Sequence, residues 1–388
     1  MGRRGRSEGS IFQRASDKRW VGSVTISRPG QPRRRKSVVR ERRADVVTAL
    51  RVVQNSVDRG VVPAGRSVTV RTYVNEWLTG VPNLRDRTRL RYRELLELHV
   101  LPEIGGLPLA KLQPAHVRTM LARLGAKPGR GGRPLSAQTV VHARAAIRRA
   151  LSDAVGDGLI ARNPAAGKTV NAPTPEHREV EAMTPERAAT IVAAVWPDPM
   201  GPMFTFLLSS GLRLGEALGL SWTSVDREPG GAIRVRRTYG IVGGVGQFGE
   251  PKTRQSRRDV PVNHDILVAL REQRRRQAEA RLAAGPEWHD EGLVFTRWDG
   301  SPLDPRDASK RLHHLLRPIG LEALRVHDLR HGYVTLLLRE RASFAEVAKL
   351  AGHASPVMTL NVYGHVASDS LQEAARRLDG LGLTGQIG

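Results

Sequence analysis

Five residues that are or can become cations, and one tyrosine, stand out in the second half of this 388-residue chain. Arg213 lies in GLRLGEALGL, Lys252 in KTRQSRRDVPV, His327 and Arg330 in HDLRH, His353 in LAGH and Tyr363 in TLNVYGHV. The intervals between them are 39, 75, 3, 23 and 10 residues. His327 and Arg330, three apart, share a helix face if that stretch is helical. Cations gathered this way suit chemistry at an anionic oxygen centre, because a guanidinium's planar fork meets two oxygens at once. A free tyrosine has a pKa of about 10, and a cationic pocket favours the phenolate character that nucleophilic attack requires. A lone Arg, His or Tyr usually serves surface or packing; six in a fixed order are harder to explain that way.

Other motifs offer different chemistry and fail on context. Gly244-Val245-Gly246-Gln247-Phe248-Gly249 fits the dinucleotide pattern, but a basic, turn-prone stretch follows it instead of a helix. It reads as a hairpin loop. Gly167-Lys168-Thr169 resembles the end of a P-loop, yet Arg162 stands where the leading glycine belongs. His327 and His331 could share a metal on one helix face. Arg330 beside them opposes a second cation, and no HExxH is present. No metal and no other cofactor is expected.

The elements that must position these residues are written in composition and periodicity. The length calls for two or three domains. Lys and Arg total 62 against 38 Asp and Glu, a net charge of +24, which favours a polyanionic partner such as nucleic acid. There is no cysteine, so disulfides, cysteine zinc sites and thiol nucleophiles are excluded. No apolar stretch approaches the roughly 20 residues of a membrane span, and no signal peptide follows the basic N-terminus. The protein is expected in the cytoplasm, away from membranes.

Residues 1–66 hold 17 Lys/Arg and 5 Asp/Glu, about half the net charge. Ile11–Trp20, Val21–Ser27 and Val38-Val39 read as short strands, and Ala44–Asp58 as a helix. The basic run Arg33, Arg34, Arg35, Lys36 follows a Pro/Gly turn, and a small sheet carrying it could lie in a DNA groove. Residues 67–160 read as a four-helix bundle with a basic face. Val70, Tyr73, Val74, Trp77 and Leu78 form one apolar stripe, and Val117, Met120, Leu121 and Leu124 another. Ser136 is an N-cap for a long helix through Val140, Ile147 and Leu151. Its other positions include Arg144, Arg148 and Arg149. Residues 161–179, with Pro164, Pro173 and Pro175, read as a linker. Thr184-Pro185 then starts a larger domain over 180–388, mostly helical, with a β segment from Ala232–Tyr239 through a Gly-rich loop to Arg257–Val262.

At the six residues, and in the text around them, the chain resembles the tyrosine recombinase (phage integrase) family. Its hallmark is an ordered Arg, Lys, His-x-x-Arg, His or Trp, and Tyr, and the set is complete here. The resemblance covers residues 180–366 strongly. It extends to 67–167, similar to the family's helical core-binding domain, and more weakly to 10–60, similar to the arm-binding domain of lambda-type integrases. Gly332 departs from the Thr that many members carry. The implied fold is mainly α and multidomain: a small N-terminal β-sheet plus helix, a helical core-binding bundle, and a mixed, mostly helical catalytic domain with a small β-sheet.

The resemblance also implies roles. Arg213 and Arg330 would grip the scissile phosphate, Lys252 would protonate the leaving 5′ oxygen, His327 would assist proton transfer at the tyrosine, and His353 would hydrogen-bond the phosphate. Tyr363 would hold the DNA 3′ end as a phosphotyrosine, so rejoining needs no ATP. Glu216, three after Arg213, is read as a supporting residue that orients it. The implied partners are double-stranded DNA at core and arm attachment sites, a homotetramer on that DNA, and DNA-bending or excision accessory proteins. The setting implied is the nucleoid of a prokaryotic host. Leu371, Ala374, Leu378 and Leu381, at helical spacing, would dock on a neighbouring protomer or on their own domain. A basic N-terminal region favours an integrase of a phage or mobile element over a chromosome-dimer resolvase. A topoisomerase-like relaxer and a catalytically dead DNA-binding regulator are the alternatives.

Overall fold

The computed structural model describes residues 10–26, 34–58, 68–82, 84–128, 132, 134–167, 170–175, 182–251, 254–353, 355–357 and 360. The chain divides into two compact units, 1–177 and 178–388.

The first unit begins with an antiparallel sheet in the order β1 (Ser10–Gln13), β2 (Trp20–Ile26), β3 (Arg34–Arg40). Period-two alternation sends Trp20, Gly22 and Val24 to one face, where Ile11, Gly22 and Val38 align across the three strands. Helix α1 (Arg43–Asp58) covers that face with Val46 and Leu50. The helix lies so close that a Cβ at Gly22 would run into Val46. The described part of the basic run is strand. Arg34, Arg35 and Lys36 are strand residues of β3, paired with Ile26, Thr25 and Val24; Arg33 lies outside the described residues.

A helical bundle follows: α2 (Val70–Gly80), α3 (Asp86–Leu95), α4 (Leu101–Ile104), α5 (Pro114–Ala126) and α6 (Ala137–Gly156). A π-helical turn over Leu96–Val100 joins α3 to α4. Pro102 lies just beyond it and has no N–H to continue an ordinary turn. Both apolar stripes are buried as the periodicity predicts. Thr69 and Ser136 cap α2 and α6 through their side chains. Helix α6 turns a row of small residues inward, Ala143, Ala146, Ala150 and Ala154. Tyr73 Oη donates to the Ala150 carbonyl at 3.0 Å. Arg148 and Arg149 stay exposed. The stretch read as a linker adds Ala165 and Val170 to this core; Lys168 and Thr169 lie outside the described residues.

The second unit is built round α8 (Gly201–Ser210), whose Met203, Phe204, Phe206 and Leu207 are all buried. It packs against α7 (Pro185–Val195), α10 (His264–Ala284) and α12 (Val326–Arg339). Between them run the short α9 (Leu214–Leu218), α11 (Pro305–Leu316) and α13 (Phe344–Ala351). The β segment is two antiparallel pairs: β4 (Ala232–Val235) with β7 (Arg258–Pro261), and the hairpin β5 (Thr238–Val242) with β6 (Val245–Gly249). Gly244 occupies the hairpin turn with φ +87°, so the glycine-rich motif is a hairpin, as its context indicated. Gly332 has a steric reason. A Cβ there would lie 2.8 Å from Met183 Cε and 3.0 Å from Leu208 Cδ1. Among the described residues no helix is long and apolar enough to cross a membrane.

Candidate active site

The site grows from the end of α8. Gly211 closes that helix in the left-handed conformation, φ +62°, which glycine adopts without strain. A Cβ there would also run into the Tyr333 ring. The turn delivers Arg213 to the N-terminus of α9, in extended conformation. Glu216, in the first turn of α9, accepts the Arg213 backbone N–H at 3.0 Å and its Nη1 at 2.7 Å. A carboxylate at this position also suits the positive end of the helix dipole.

Glu216 is almost fully buried, with 2 % exposure. It also accepts Arg258 Nη2 at 3.2 Å. Burial pushes its carboxyl up, but the charges and hydrogen bonds of Arg258 and Arg213 outweigh that and hold it below the usual carboxylate range. One buried anion therefore holds two guanidiniums, and the sub-site keeps a net positive charge.

Arg330 arrives from α12. It is 3 % exposed, and its Nη1 donates to the Gly211 carbonyl at 2.5 Å. The turn that presents Arg213 thus also orients Arg330. Asp328 caps α12 by accepting the Arg325 backbone N–H at 2.8 Å. His327 and His331 stand one helical turn apart, with ring centroids 4.9 Å apart and planes nearly perpendicular.

His353 is brought in by the end of α13. Gly352 ends that helix with φ +68°. Its carbonyl accepts Arg213 Nη2 at 3.2 Å, and the Leu350 carbonyl accepts Arg258 Nε at 2.7 Å. Cations at a helix C-terminus satisfy carbonyls that the helix leaves open and favour its negative end. Burial, and then Arg330, Arg213, His331 and Arg258, lower His353 to about 4. His327 is also lowered to about 4, by desolvation first and then by His331, Arg330 and Arg213, with Asp328 opposing. Both rings are therefore neutral near pH 7 and ready to donate or accept hydrogen bonds. An incoming anion would reverse the local field and raise both.

Four of the six expected residues, Arg213, His327, Arg330 and His353, are thus gathered in one place, with Glu216 beneath Arg213. Lys252 and Tyr363 lie outside the described residues, as does the segment 370–383. Residues Arg254–Ser256 form a 3₁₀ turn, and Ser256 Oγ lies 3.4 Å from Arg213 Nη1. Arg34, Arg35 and Lys36 belong to the other unit. The sequence reading missed Arg258, Ser256 and Tyr333. Arg258 had a usable signal. It shares the inward face of β7 with Val260, and a charge on that face needs a partner.

Comparison with known proteins bears on the family and the fold. The profile of the phage integrase family matches residues 183–369, and that of the phage integrase N-terminal SAM-like domain matches 69–125. A "Tyrosine recombinase XerC-like" of Caldanaerobacter subterraneus subsp. tengcongensis is 32 % identical over 244 residues, covering 59 % of this chain and 62 % of the relative. An "Integrase" of Streptomyces ambofaciens is 26 % identical over 390 residues, covering 98 % of this chain and 97 % of the relative. The Tn1549 transposon integrase, solved with a circular intermediate DNA, superposes with a TM-score of 0.67 at 20 % identity, over 80 % of this chain and 100 % of that one. The lambda integrase tetramer bound to a Holliday junction gives 0.52 at 14 % identity, over 89 % and 96 %.

Proposed function

The chain belongs to the phage integrase family of tyrosine recombinases, and from that premise we propose that it cuts and rejoins duplex DNA at a specific site to integrate or excise a mobile element. The observation that carries the reading is the convergence of Arg213, Arg330, His327 and His353 around a turn built on Gly211. Attack on a phosphodiester gathers charge on the non-bridging oxygens, and fixed donors aimed at that charge stabilise the transition state. Arg213 and Arg330 supply forked donors for these oxygens. His353 adds a hydrogen bond to the phosphate, and His327 moves the proton at the nucleophile. In this reading Tyr363 attacks and becomes linked to the 3′ phosphate, and Lys252 protonates the 5′ oxygen that leaves. The ester conserves the broken bond's energy, so rejoining is the same step reversed. Glu216 holds Arg213 in place.

The remaining parts follow. Residues 67–160 would grip the core site and 1–66 an arm site, with 161–179 between bundle and catalytic domain 180–388. Exchange of two duplexes takes four strand cuts, which four protomers on the DNA provide. The lambda integrase tetramer on a Holliday junction supports that stoichiometry. Accessory bending or excision proteins would act with it on the nucleoid of a prokaryotic host.

The test is a nicked suicide duplex taken from the junction of the element that carries this gene. Wild-type protein is expected to trap a covalent adduct in the presence of EDTA, and Tyr363→Phe to trap none. An adduct of normal yield from Tyr363→Phe would overturn the reading.

A further inference from the structure

Arg258 has no place in the six-residue set, yet it is among the least exposed charged residues described. Its side chain is 6 % exposed, on the inward face of a strand. A guanidinium there must find hydrogen-bond partners or be strongly destabilising. It does so on three separate elements. Nη2 donates to Glu216 of α9 at 3.2 Å, Nη1 to the Ser256 carbonyl at 3.2 Å, and Nε to the Leu350 carbonyl of α13 at 2.7 Å. Each element carries or adjoins a residue of the proposed reaction: Glu216 holds Arg213, Ser256 ends the turn that follows Lys252, and Leu350 stands three residues before His353. The fit on the α13 side is close. A Cβ at Gly352 would lie 2.9 Å from Arg258 Nη1 and 3.1 Å from its Cζ.

We propose that Arg258 is a positioning residue of the strand-cleavage site, whose three donor nitrogens lock α9, the Ser256 turn and the end of α13 in one register, so that Arg213 and His353 meet the same phosphate. This rests on the recombinase reading above. Arg258 does not touch the DNA; it acts through the groups it holds. Only arginine can do this. A lysine offers one compact charge in place of a planar fork with fixed directions. An apolar replacement leaves Glu216 with a single cationic partner and the Leu350 carbonyl without its donor. The reacting groups would then drift, and a misplacement of about 1 Å can lower a rate about 100-fold.

The test uses full-length protein and the same nicked junction duplex, with Arg258→Lys, Arg258→Met, His353→Ala and the double variant Arg258→Met/His353→Ala. Duplex affinity and the single-turnover rate of adduct formation are measured on protein whose thermal melt remains cooperative. Both Arg258 variants are expected to bind the duplex within about threefold of wild type and to cleave about 100-fold more slowly at saturating DNA. The double variant should lose little beyond the slower single variant, because both changes break one linked unit. A purely structural role predicts instead that binding and cleavage fall together with the folded fraction. Three results overturn the proposal: wild-type cleavage by the folded Arg258 variants, losses that multiply in the double variant, or binding and cleavage that fall together with the folded fraction. If wild type forms no adduct, or Tyr363→Phe forms one, the recombinase reading itself fails, which is a distinct outcome.

Discussion

The helical bundle of the first unit and the catalytic unit solve the problem of order in opposite ways. The bundle core is almost wholly apolar: Leu, Val, Ile, Met and a row of alanines fill the interior, no charged residue among those described is buried there, and Tyr73 and Trp77 carry its polar atoms, each hydrogen-bonded. The catalytic unit buries Asp198, Glu216, Arg258, Asp328 and Arg330, which are all the buried charged residues among those described. Apolar packing is non-directional and tolerates rearrangement of similar volumes. A buried charge is stable only with its partners in place, so it specifies geometry at the expense of stability. The bundle is built to hold together, and the site is built to hold positions.

The comparison breaks most visibly at Arg330. Arg330→Gln should slow cleavage by about 10²–10³-fold at saturating DNA. The lost hydrogen bond to Gly211 should lower stability by only about 1–3 kcal/mol. If urea denaturation shows a stability loss large enough to account for the rate, Arg330 is a fold residue and the contrast fails.

The reverse experiment is Ile147→Ala, at a fully buried position of α6. It should lower stability by about 2–5 kcal/mol through the cavity it leaves. The cleavage rate of the bound, folded protein should change by less than about threefold, because a site that shares no partner with the active centre acts independently. A large drop in that rate constant would show that bundle and site are energetically coupled.

A further effect is in pH. His327 and His353 protonate near pH 4 in the folded protein, against about 6.5 in an unfolded chain. The unfolded state therefore binds more protons across that window, so stability falls as pH drops from about 6.5 to about 4. The melting temperature should decline over this range in wild type and less in His327→Gln/His353→Gln. Equal slopes would show that the two rings are not held neutral.

The same contrast explains what could be read in advance. Apolar periodicity is local, so the α2 and α5 stripes, the Ser136 cap and the Thr184-Pro185 start were legible from a few neighbouring residues. The hairpin at Gly244 was legible because its glycines lacked a following helix. The family pattern named Arg213, His327, Arg330 and His353, which the structure brings together, but it did not name their scaffold. Arg258 bonds partners 42 and 92 residues away, and no local window holds that information. The π-helical turn at Leu96–Val100 depends on one proline interrupting a helix that the bundle needs to continue. The extension of β3 back to Arg34 depends on pairing with β2, which the two valines at 38 and 39 alone did not reveal.

Tyr363 is the residue proposed to join the DNA. The direct measurement is to trap the covalent complex on the nicked junction duplex, digest protein and DNA, and sequence the nucleotide-bearing peptide by mass spectrometry. A nucleotide on Tyr363 through its 3′ phosphate is the result predicted. A nucleotide on any other residue, or attached through a 5′ phosphate, would contradict it.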